Sequence, residues 1–422
     1  IISNITIPLV GFVDNAMMGH IGSVIYIGAI GVGSIIISYI LFSFGFIKSL
    51  TTGFVSQHIG SNSKKEIILL LSHLLLISGF ISLLIIIFRE QIIMLSLDFM
   101  NASNEVLLHS KIYLEYRIWS IPAIFLRDII IGYYIGTQNI KAAIVVSITV
   151  NLLNIILDYY FIYILHYSIE GVAIASLISE YSVIIFALYA IRSEGIFKNI
   201  NIKIGEIFNW IMIKKKILIN IDMFIRSFIL MTVFIYFMRT GASYGDSVLA
   251  ANTILLNFFF LFSYGIDGFA HSAEVLVGNA IGKRKQILLR QSIYSTGKFS
   301  FILALIYLFI FNLYDLSIVK FVTNLENIHF IVMSNIIYLY LIFISATIAF
   351  WLDGVFIGSL KAKLLRNIMI ISGIIFFILE AILMDGNNDN LWISFLIFFT
   401  IRSLLLAIAL YNHMKNDRFI NI

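Results

Sequence analysis

Four polar side chains recur at helical spacing inside one apolar run of this 422-residue chain. In the stretch "AAIVVSITVNLLNIILDYYFIYIL" they are Ser147, Asn151, Asn154 and Asp158, which places all four on one face of a helix. Such a face is too costly to present to lipid, so it must meet protein or a water-filled cavity. The alternatives are a functional cation site and hydrogen-bonded helix packing. A carboxylate with two amides on one stripe favours the cation site.

A second acid, Asp14, interrupts the apolar stretch "IPLVGFVDNAMMGH". An ionised Asp at the centre of a membrane helix costs about 2.5–3.5 kcal/mol, so a function is expected. The structural alternative is that Asp14 lies at a helix end and points to the outer surface, since the stretch "GHIGS" follows five residues later. If Asp14 and Asp158 share a pocket, repulsion and desolvation favour protonation of one of them. The same acids, ionised beside the Asn154 amide oxygen, suit Na⁺. The residues alone leave H⁺ and Na⁺ both open.

Other polar residues inside apolar runs are secondary candidates for cavity groups: Lys48, Thr52, Asp267, Glu274 and Asp353. The two aspartates each precede a glycine, so local hydrogen bonding where helices approach closely is the alternative for them.

The remaining charged residues receive structural interpretations. Asp222 and Arg226 are four residues apart and are predicted to pair with each other at the start of a helix. Arg127 and Asp128 adjoin Pro122 and are assigned a structural role. The histidines at 20 and 271 have no partners at metal-ligand spacing, so no metal site is assigned to them.

The elements that must position these residues are membrane spans. Hydrophobic residues make up 60% of the chain, charged residues 12%, and the mean hydropathy is +1.00. Soluble domains average about 25% charged residues. The absence of cysteine from the sequence excludes disulfides and thiolate metal sites. The basic pI of about 9.1 comes from short clusters between apolar runs, the pattern of inside loops rather than of nucleic-acid binding.

Apolar runs of roughly 20 residues or more predict twelve spans. They lie near 1–18, 25–58, 66–88, 110–138, 142–165, 170–193, 218–240, 247–280, 287–312, 331–358, 364–385 and 390–412. The chain does not begin with Met and Ile1 already lies in an apolar run, so we expect the first helix to be truncated. No cleavable signal peptide is recognised.

Loop charge predicts the orientation of the spans. Alternate loops carry lysines and arginines, as in "GKRKQ" at 282–286, whereas the opposite loops carry acids and amides, as in "MDGNNDN" at 384–390. By the positive-inside rule both termini are cytoplasmic in a cell (inner or plasma) membrane. Residues 194–217 form the longest cytoplasmic connection, in which Trp210 indicates either an interfacial helix or a simple loop.

The chain repeats itself after 222 residues. "GYYIGTQNIK" at 132–141 meets "GVFIGSLKAK" at 354–363, and Asp158 meets Glu380 at the same shift. We therefore predict an all-α membrane protein with a lobe at 1–193, a connection at 194–217 and a second lobe at 218–422. Six spans in each lobe make the halves parallel repeats, an arrangement that gives two lobes flanking a central cavity.

Two other classes of protein are disfavoured. Neither "GXXXXGK[ST]" nor "GXGXXG" occurs, so nothing indicates an ATPase domain, and energy must come from an ion gradient. A membrane-embedded enzyme needs a nucleophile–base or metal-ligand constellation, and none is recognised. We therefore expect a transporter and not an enzyme, with no cofactor besides the coupling ion.

Five stretches taken together resemble the MATE multidrug exporters, in particular the DinF-like branch. They are "IPLVGFVDNAMMGHIGS", "TTGFVSQHIG", "NLLNIILDYY", "GDSVLAANTILLNFFFLFSYGIDGFAHSAEVLVGNAIG" and "FWLDGVFIGSLKAKLLRNIMIIS". The resemblance implies two six-helix bundles and export of organic, often cationic, compounds in exchange for H⁺ or Na⁺. It also implies membrane lipids and small xenobiotics as the partners, without nucleic acid, and we expect a monomer.

The resemblance also implies roles for particular residues. In DinF-like members an acid of the first helix and an Asn and Asp of the fifth form a polar network, which match Asp14, Asn154 and Asp158. A hydroxyl of the sixth helix joins that network, at Ser176 here. The family's further Asn falls near Ile130 or Ile131, where this chain departs from the pattern. A lipid-linked precursor flippase of the same superfamily is the alternative function, but it needs a strongly cationic cavity and the spans hold few basic residues.

Overall fold

A computed structural model describes residues 24–100, 104–193, 203–322, 326–382, 387–415 and 419. Within these ranges the chain is helical and contains no strand. The helices of the amino-terminal part are α1 (Val24–Phe44), α2 (Phe46–Gly60), α3 (Lys64–Ile87), α4 (Arg89–Asp98), α5 (Asn104–Arg117), α6 (Ile121–Gly136), α7 (Ile140–Tyr159), α8 (Ile169–Tyr181), α9 (Val183–Ser193) and α10 (Ile204–Ile207). Those that follow are α11 (Trp210–Ser243), α12 (Asp246–Gly282), α13 (Gln286–Val322), α14 (Glu326–Gly358), α15 (Ala362–Ile382) and α16 (Asn388–Lys415).

Eleven stretches in the described ranges are long and apolar enough to cross a membrane. Three of them combine consecutive helices: α1 with α2, α5 with α6 through a 3₁₀ turn at Ile118–Ser120, and α8 with α9. Pro122 lies in the first turn of α6, where its missing N–H costs no hydrogen bond. The predicted first span, 1–18, lies outside the described residues, and the other eleven predicted spans correspond to those observed. The all-helical, multi-pass class is confirmed.

The chain forms two compact units, Ile2–Leu218 and Ile219–Ile422. The helix α11 begins at Trp210, whose side chain is 65% exposed, and continues without a break into the second unit. Residues 210–217 are therefore helical, and α10 contributes one short turn before them. The boundaries of the predicted lobes stay a prediction.

In the amino-terminal unit, small residues let α6 pack closely against α2. A Cβ added at Gly132 would lie 2.6 Å from the Lys48 carbonyl oxygen, and one at Gly136 would lie 2.8 Å from Cβ of Val55. The Thr52 hydroxyl, fully buried, donates to the Gly132 carbonyl at 3.3 Å. Close backbone approach through small residues is a general device of membrane helices.

The carboxy-terminal unit uses the equivalent glycines in the same way. A Cβ at Gly354 would lie 2.2 Å from the Ala270 carbonyl oxygen, and one at Gly358 would lie 2.5 Å from that of Glu274, so α14 packs directly on α12. Beside this contact lies an aromatic core in which Phe262 stacks on Phe343 with ring centroids 4.1 Å apart.

Backbone detail confirms the internal repeat. Asn62 and Arg284, 222 residues apart, end α2 and α12 with φ of 55° and 54°. Gln138 and Leu360, at the same separation, end α6 and α14 with φ of 64° and 57°. A left-handed residue at a helix end lets the following N–H groups reach the last carbonyls. Lys361, which follows Leu360, donates in this way from its backbone N–H to the Phe356 carbonyl at 2.9 Å.

Candidate cation-binding site

The polar stripe of α7 faces the interior of the amino-terminal unit. Ser147 is 8% exposed, Asn154 2% and Asp158 0%, while Asn151 is half-buried. The apolar residues between them, Leu152 and Ile156, are each 54% exposed and supply the outward face. The amphipathic direction expected from the spacing is confirmed.

Helix α8 supplies a partner for the stripe. The Asn154 side chain donates from Nδ2 to the Ser176 hydroxyl at 3.2 Å, a buried contact between residues of different helices. Oδ1 of Asn154 is also buried and accepts no hydrogen bond from any described residue. Because a buried amide oxygen without a donor is costly, this atom is suited to accept from a protonated acid or to coordinate a cation.

Helical geometry changes immediately after Asp158. Helix α7 ends at Tyr159 and a π-helical turn, Tyr160–Ile164, follows it. Such turns are rare and are frequent at functional sites because they redirect the side chains around them. Asn154 and Asp158 belong to α7 and Ser176 belongs to α8, and the π-helical turn lies in the connection between these two helices.

Asp14, the acid that the resemblance assigns to the first helix, lies outside the described residues. Ser147 donates to the Ala143 carbonyl at 3.1 Å, a contact within its own helix. Ile130 and Ile131, the positions that depart from the resembled pattern, are each 7% exposed and pack in an apolar cluster with Tyr134.

The amino-terminal unit also contains an ion pair that was not predicted from the sequence. Arg127 Nη1 donates to Glu180 Oε1 at 2.5 Å, which joins α6 to α8. Glu180 is 8% exposed. Glu180 is an acid inside the predicted span 170–193, and this feature of the sequence could have revealed the ion pair. The secondary candidate Lys48 interacts electrostatically with Asp128, beside this pair.

The predicted pairing of Asp222 with Arg226 is wrong. Asp222 accepts from Arg366 of α15, and Arg226 donates to Asp353 of α14. A four-residue spacing permits a pair within a helix, but each side chain instead meets an opposite charge on another helix, where burial strengthens the attraction.

Asp353 lies in a buried charge cluster of the carboxy-terminal unit. Arg226 and Arg402 both donate to its Oδ2, and Arg402 is 1% exposed. Asp267, another secondary candidate, is half-buried and interacts electrostatically with Arg402. Arg402 was not expected from the sequence, although a basic residue inside an apolar span is a signal of the same kind as Asp158.

The other secondary candidates are engaged with near neighbours. His271 Nδ1 lies 3.1 Å from Oε2 of Glu274, which is 2% exposed, so His271 has a partner one helical turn away. Among the described residues, no group of three or more His, Cys, Asp or Glu side chains could hold a metal ion. Thr52 uses its hydroxyl in the α2–α6 contact.

Comparison with known proteins identifies the family. The sequence profile of MatE matches residues 1–160 and 223–383, which is most of both repeats. The chain belongs to the MatE family. Its members are membrane transporters, and this MatE protein is accordingly a multi-pass membrane protein.

Individual relatives agree with this assignment. The chain is 29% identical over 419 residues to DNA damage-inducible protein F of Escherichia coli K12, a match that covers 99% of this chain and 91% of that protein. It is 28% identical over 202 residues to multidrug and toxin extrusion protein 1 of Danio rerio, covering 47% of this chain and a third (33%) of that one. The crystal structure of a MATE protein in the bent conformation superimposes with a TM-score of 0.87 at 17% identity, covering 98% and 93% of the two chains. The fold class of the MatE protein is thereby that of MATE transporters, and the eleven spans of the described residues agree with it.

Proposed function

We propose that this MatE protein exports organic, often cationic, compounds in exchange for H⁺ or Na⁺, which binds at Asp14, Asn151, Asn154, Asp158 and Ser176. The observation that carries the proposal is the buried Asp158 one helical turn from Asn154, whose amide reaches Ser176 of a second helix. Names of relatives that include multidrug and toxin extrusion point to the same class of activity.

A buried carboxylate can couple two cations because its charge is available to only one at a time. Ionised, Asp158 attracts a cation, whereas protonated or bound to Na⁺ it no longer does so. A ligand shifts a conformational equilibrium only through a difference in affinity between states, and the change of charge supplies that difference. No cofactor is required by this scheme.

The test is efflux of a cationic dye from proteoliposomes under an imposed pH or Na⁺ gradient. We expect one gradient to drive efflux by the unaltered protein, and Asp14→Asn and Asp158→Asn to abolish that coupling. Asp98→Asn is the matched control, because Asp98 is exposed at the end of α4 and undergoes the same chemical change. Ser147→Ala is a second control on the same helix face, because Ser147 donates within its own helix and is not one of the proposed binding residues.

Three outcomes separate the alternatives. Loss of coupling in both acid variants, with efflux retained in both controls, supports the proposal. If both acid variants transport as well as the unaltered protein, the coupling site is wrong. If neither gradient drives efflux and a lipid-linked sugar precursor is flipped instead, the chain is a flippase.

We also propose that the protein acts as a monomer in the cell (inner or plasma) membrane with both termini cytoplasmic. The basic loops that end α2, α6, α12 and α14 support this orientation under the positive-inside rule. The sequence contains no cysteine, so single cysteines can be introduced without background. Cysteines at Ser61 and Lys283 should react with an impermeant thiol reagent only after the membrane is opened, and one at His166 should react in intact cells.

A further inference from the structure

A groove of about 580 Å³ opens on the surface of the carboxy-terminal unit, between the start of α11, the start of α15 and the end of α16. Its floor is apolar and includes Ile368, Ile371, Leu405 and Ile408. Ile371 and Ile408 are 45% and 56% exposed. Both belong to membrane-spanning helices, and exposed isoleucines there are typical of a surface in contact with acyl chains.

The mouth of the groove is positively charged. Lys361 and Lys363 line it, and neither ammonium group makes an ion pair or a hydrogen bond with another described residue. Asp222 is the one acid among the lining residues, and Arg366 already neutralises it. The first turn of α15 contains no acid, so the positive end of its helix dipole adds to the two lysines.

The groove runs from this charged mouth into the membrane. Ile371 lies nine residues beyond the first residue of α15, which corresponds to about 14 Å at 1.5 Å per residue. The site therefore joins a cationic mouth at a helix end to an apolar floor that extends along the span. A soluble anion would not contact the apolar floor. A zwitterionic lipid has no net charge, so the two lysines would attract its headgroup only weakly.

We propose that this groove is a binding site for an anionic phospholipid, with the headgroup phosphate at Lys361 and Lys363 and an acyl chain along Ile371 and Ile408. Basic pockets between membrane helices are a known mode of headgroup recognition. Charge complementarity selects the headgroup and the apolar floor selects a lipid over free phosphate. The site lies within one unit and is independent of the proposed coupling residues, which belong to the other unit.

Native mass spectrometry of the detergent-purified full chain tests this proposal. Phosphatidylglycerol and phosphatidylcholine with the same acyl chains are titrated against the protein. The double variant Lys361→Gln, Lys363→Gln should lose affinity for phosphatidylglycerol, about 25-fold if each lysine contributes about fivefold. Lys283→Gln, Lys285→Gln is the matched control, since these exposed lysines at the α12–α13 turn carry the same charge outside the groove.

A second variant tests the floor without changing charge. Ala409→Phe should fill the groove, since Ala409 lines it and is half-buried, and should weaken phosphatidylglycerol binding with both lysines intact. Equal unfolding temperatures of all variants show that each is folded.

Four results overturn the proposal. They are equal affinity for the two phospholipids, equal losses in the two double variants, undiminished binding by Ala409→Phe, and displacement of phosphatidylglycerol by glycerol 1-phosphate without acyl chains. The last result would make the groove a site for soluble anions.

Discussion

Glu180 and Arg402 occupy equivalent positions in the two repeats, 222 residues apart, and carry opposite charges. Glu180 accepts from Arg127 of α6, whereas Arg402 donates to Asp353 of α14, and α6 and α14 are themselves repeat equivalents. The two units therefore join the same two helices by a buried ion pair of reversed polarity. The base lies on α6 and the acid on α8 in the amino-terminal unit, whereas the acid lies on α14 and the base on α16 in the carboxy-terminal unit.

We expect the amino-terminal pair to tolerate the same reversal. Arg127→Glu and Glu180→Arg should each destabilise the protein by about 3–5 kcal/mol, because each places two like charges together in a buried position. The double variant should recover most of the loss. Thermal unfolding in detergent measures this cycle, and a double variant no more stable than the singles would contradict a pairwise role.

In the carboxy-terminal unit, removal of Asp353 should cost more than removal of Arg402. Asp353→Asn leaves the buried Arg402 and the half-buried Arg226 without their shared negative charge, whereas Arg402→Met leaves Asp353 paired with Arg226. Breaking a buried pair costs about 3–5 kcal/mol, and we expect Asp353→Asn to reach this range.

Arg89→Gln is the control for this comparison. Arg89 is 38% exposed and lies 3.6 Å from Glu90, so the change should cost about 1 kcal/mol or less. The unfolding temperatures of the three variants in one detergent give the order. The reverse order for Asp353 and Arg402 would mean that Asp267, not Asp353, neutralises Arg402.

Gly358→Ala should strongly destabilise the contact between α12 and α14. The added Cβ would lie 2.5 Å from a backbone carbonyl of α12, which cannot move without moving the helix. Gly79→Ala, in the interior of α3, meets nothing within 4 Å and should stabilise its helix by about 0.5–1 kcal/mol. Unfolding temperatures of the two variants should therefore shift in opposite directions. A neutral Gly358→Ala would show that the two helices are less closely packed.

The short helix α10 is held to α3 by a pH-dependent contact. Lys65 Nζ donates to Glu206 Oε1 at 2.6 Å, and this hydrogen bond lowers the pKa of Glu206 below its ordinary value of 4.5. Because the pKa of Glu206 is lower in the folded protein, its ionised carboxylate stabilises the contact at pH values above the ordinary pKa. This stabilisation is lost as the pH falls through the lower pKa of the folded state. At neutral pH the contact is fully present.

A carboxyl ¹³C NMR titration in detergent micelles measures this pKa. Glu206 should titrate below 4.5, and Lys65→Gln should return it towards that value. Lys64→Gln is the control, since Lys64 begins the same helix and forms no ion pair with another described residue. A Glu206 titration unaffected by Lys65→Gln would rule out the contact as the cause.

Most of the architecture could be predicted from hydrophobic periodicity and composition. Apolar runs located eleven described spans, and one constant shift identified the repeat, because span length and duplication are properties of the chain itself. The stripe from Ser147 to Asp158 was likewise predictable, since helical spacing alone sets which residues share a face. The glycines at 132, 136, 354 and 358 were recognised as repeat partners, although their reason became visible only when each was found against a neighbouring helix.

The sequence by itself indicated a duplicated membrane transporter with a carboxylate and two amides on one helix face. Tertiary structure decided which charges meet. Asp222 and Arg226 stand at pairing distance along one helix, yet their partners are Arg366 and Asp353, more than a hundred residues away. Spacing along a helix shows which side chains are close enough to pair, but not whether they do so. Partner choice in a low-dielectric interior depends on which opposite charge another helix brings within reach, and this is a property of packing.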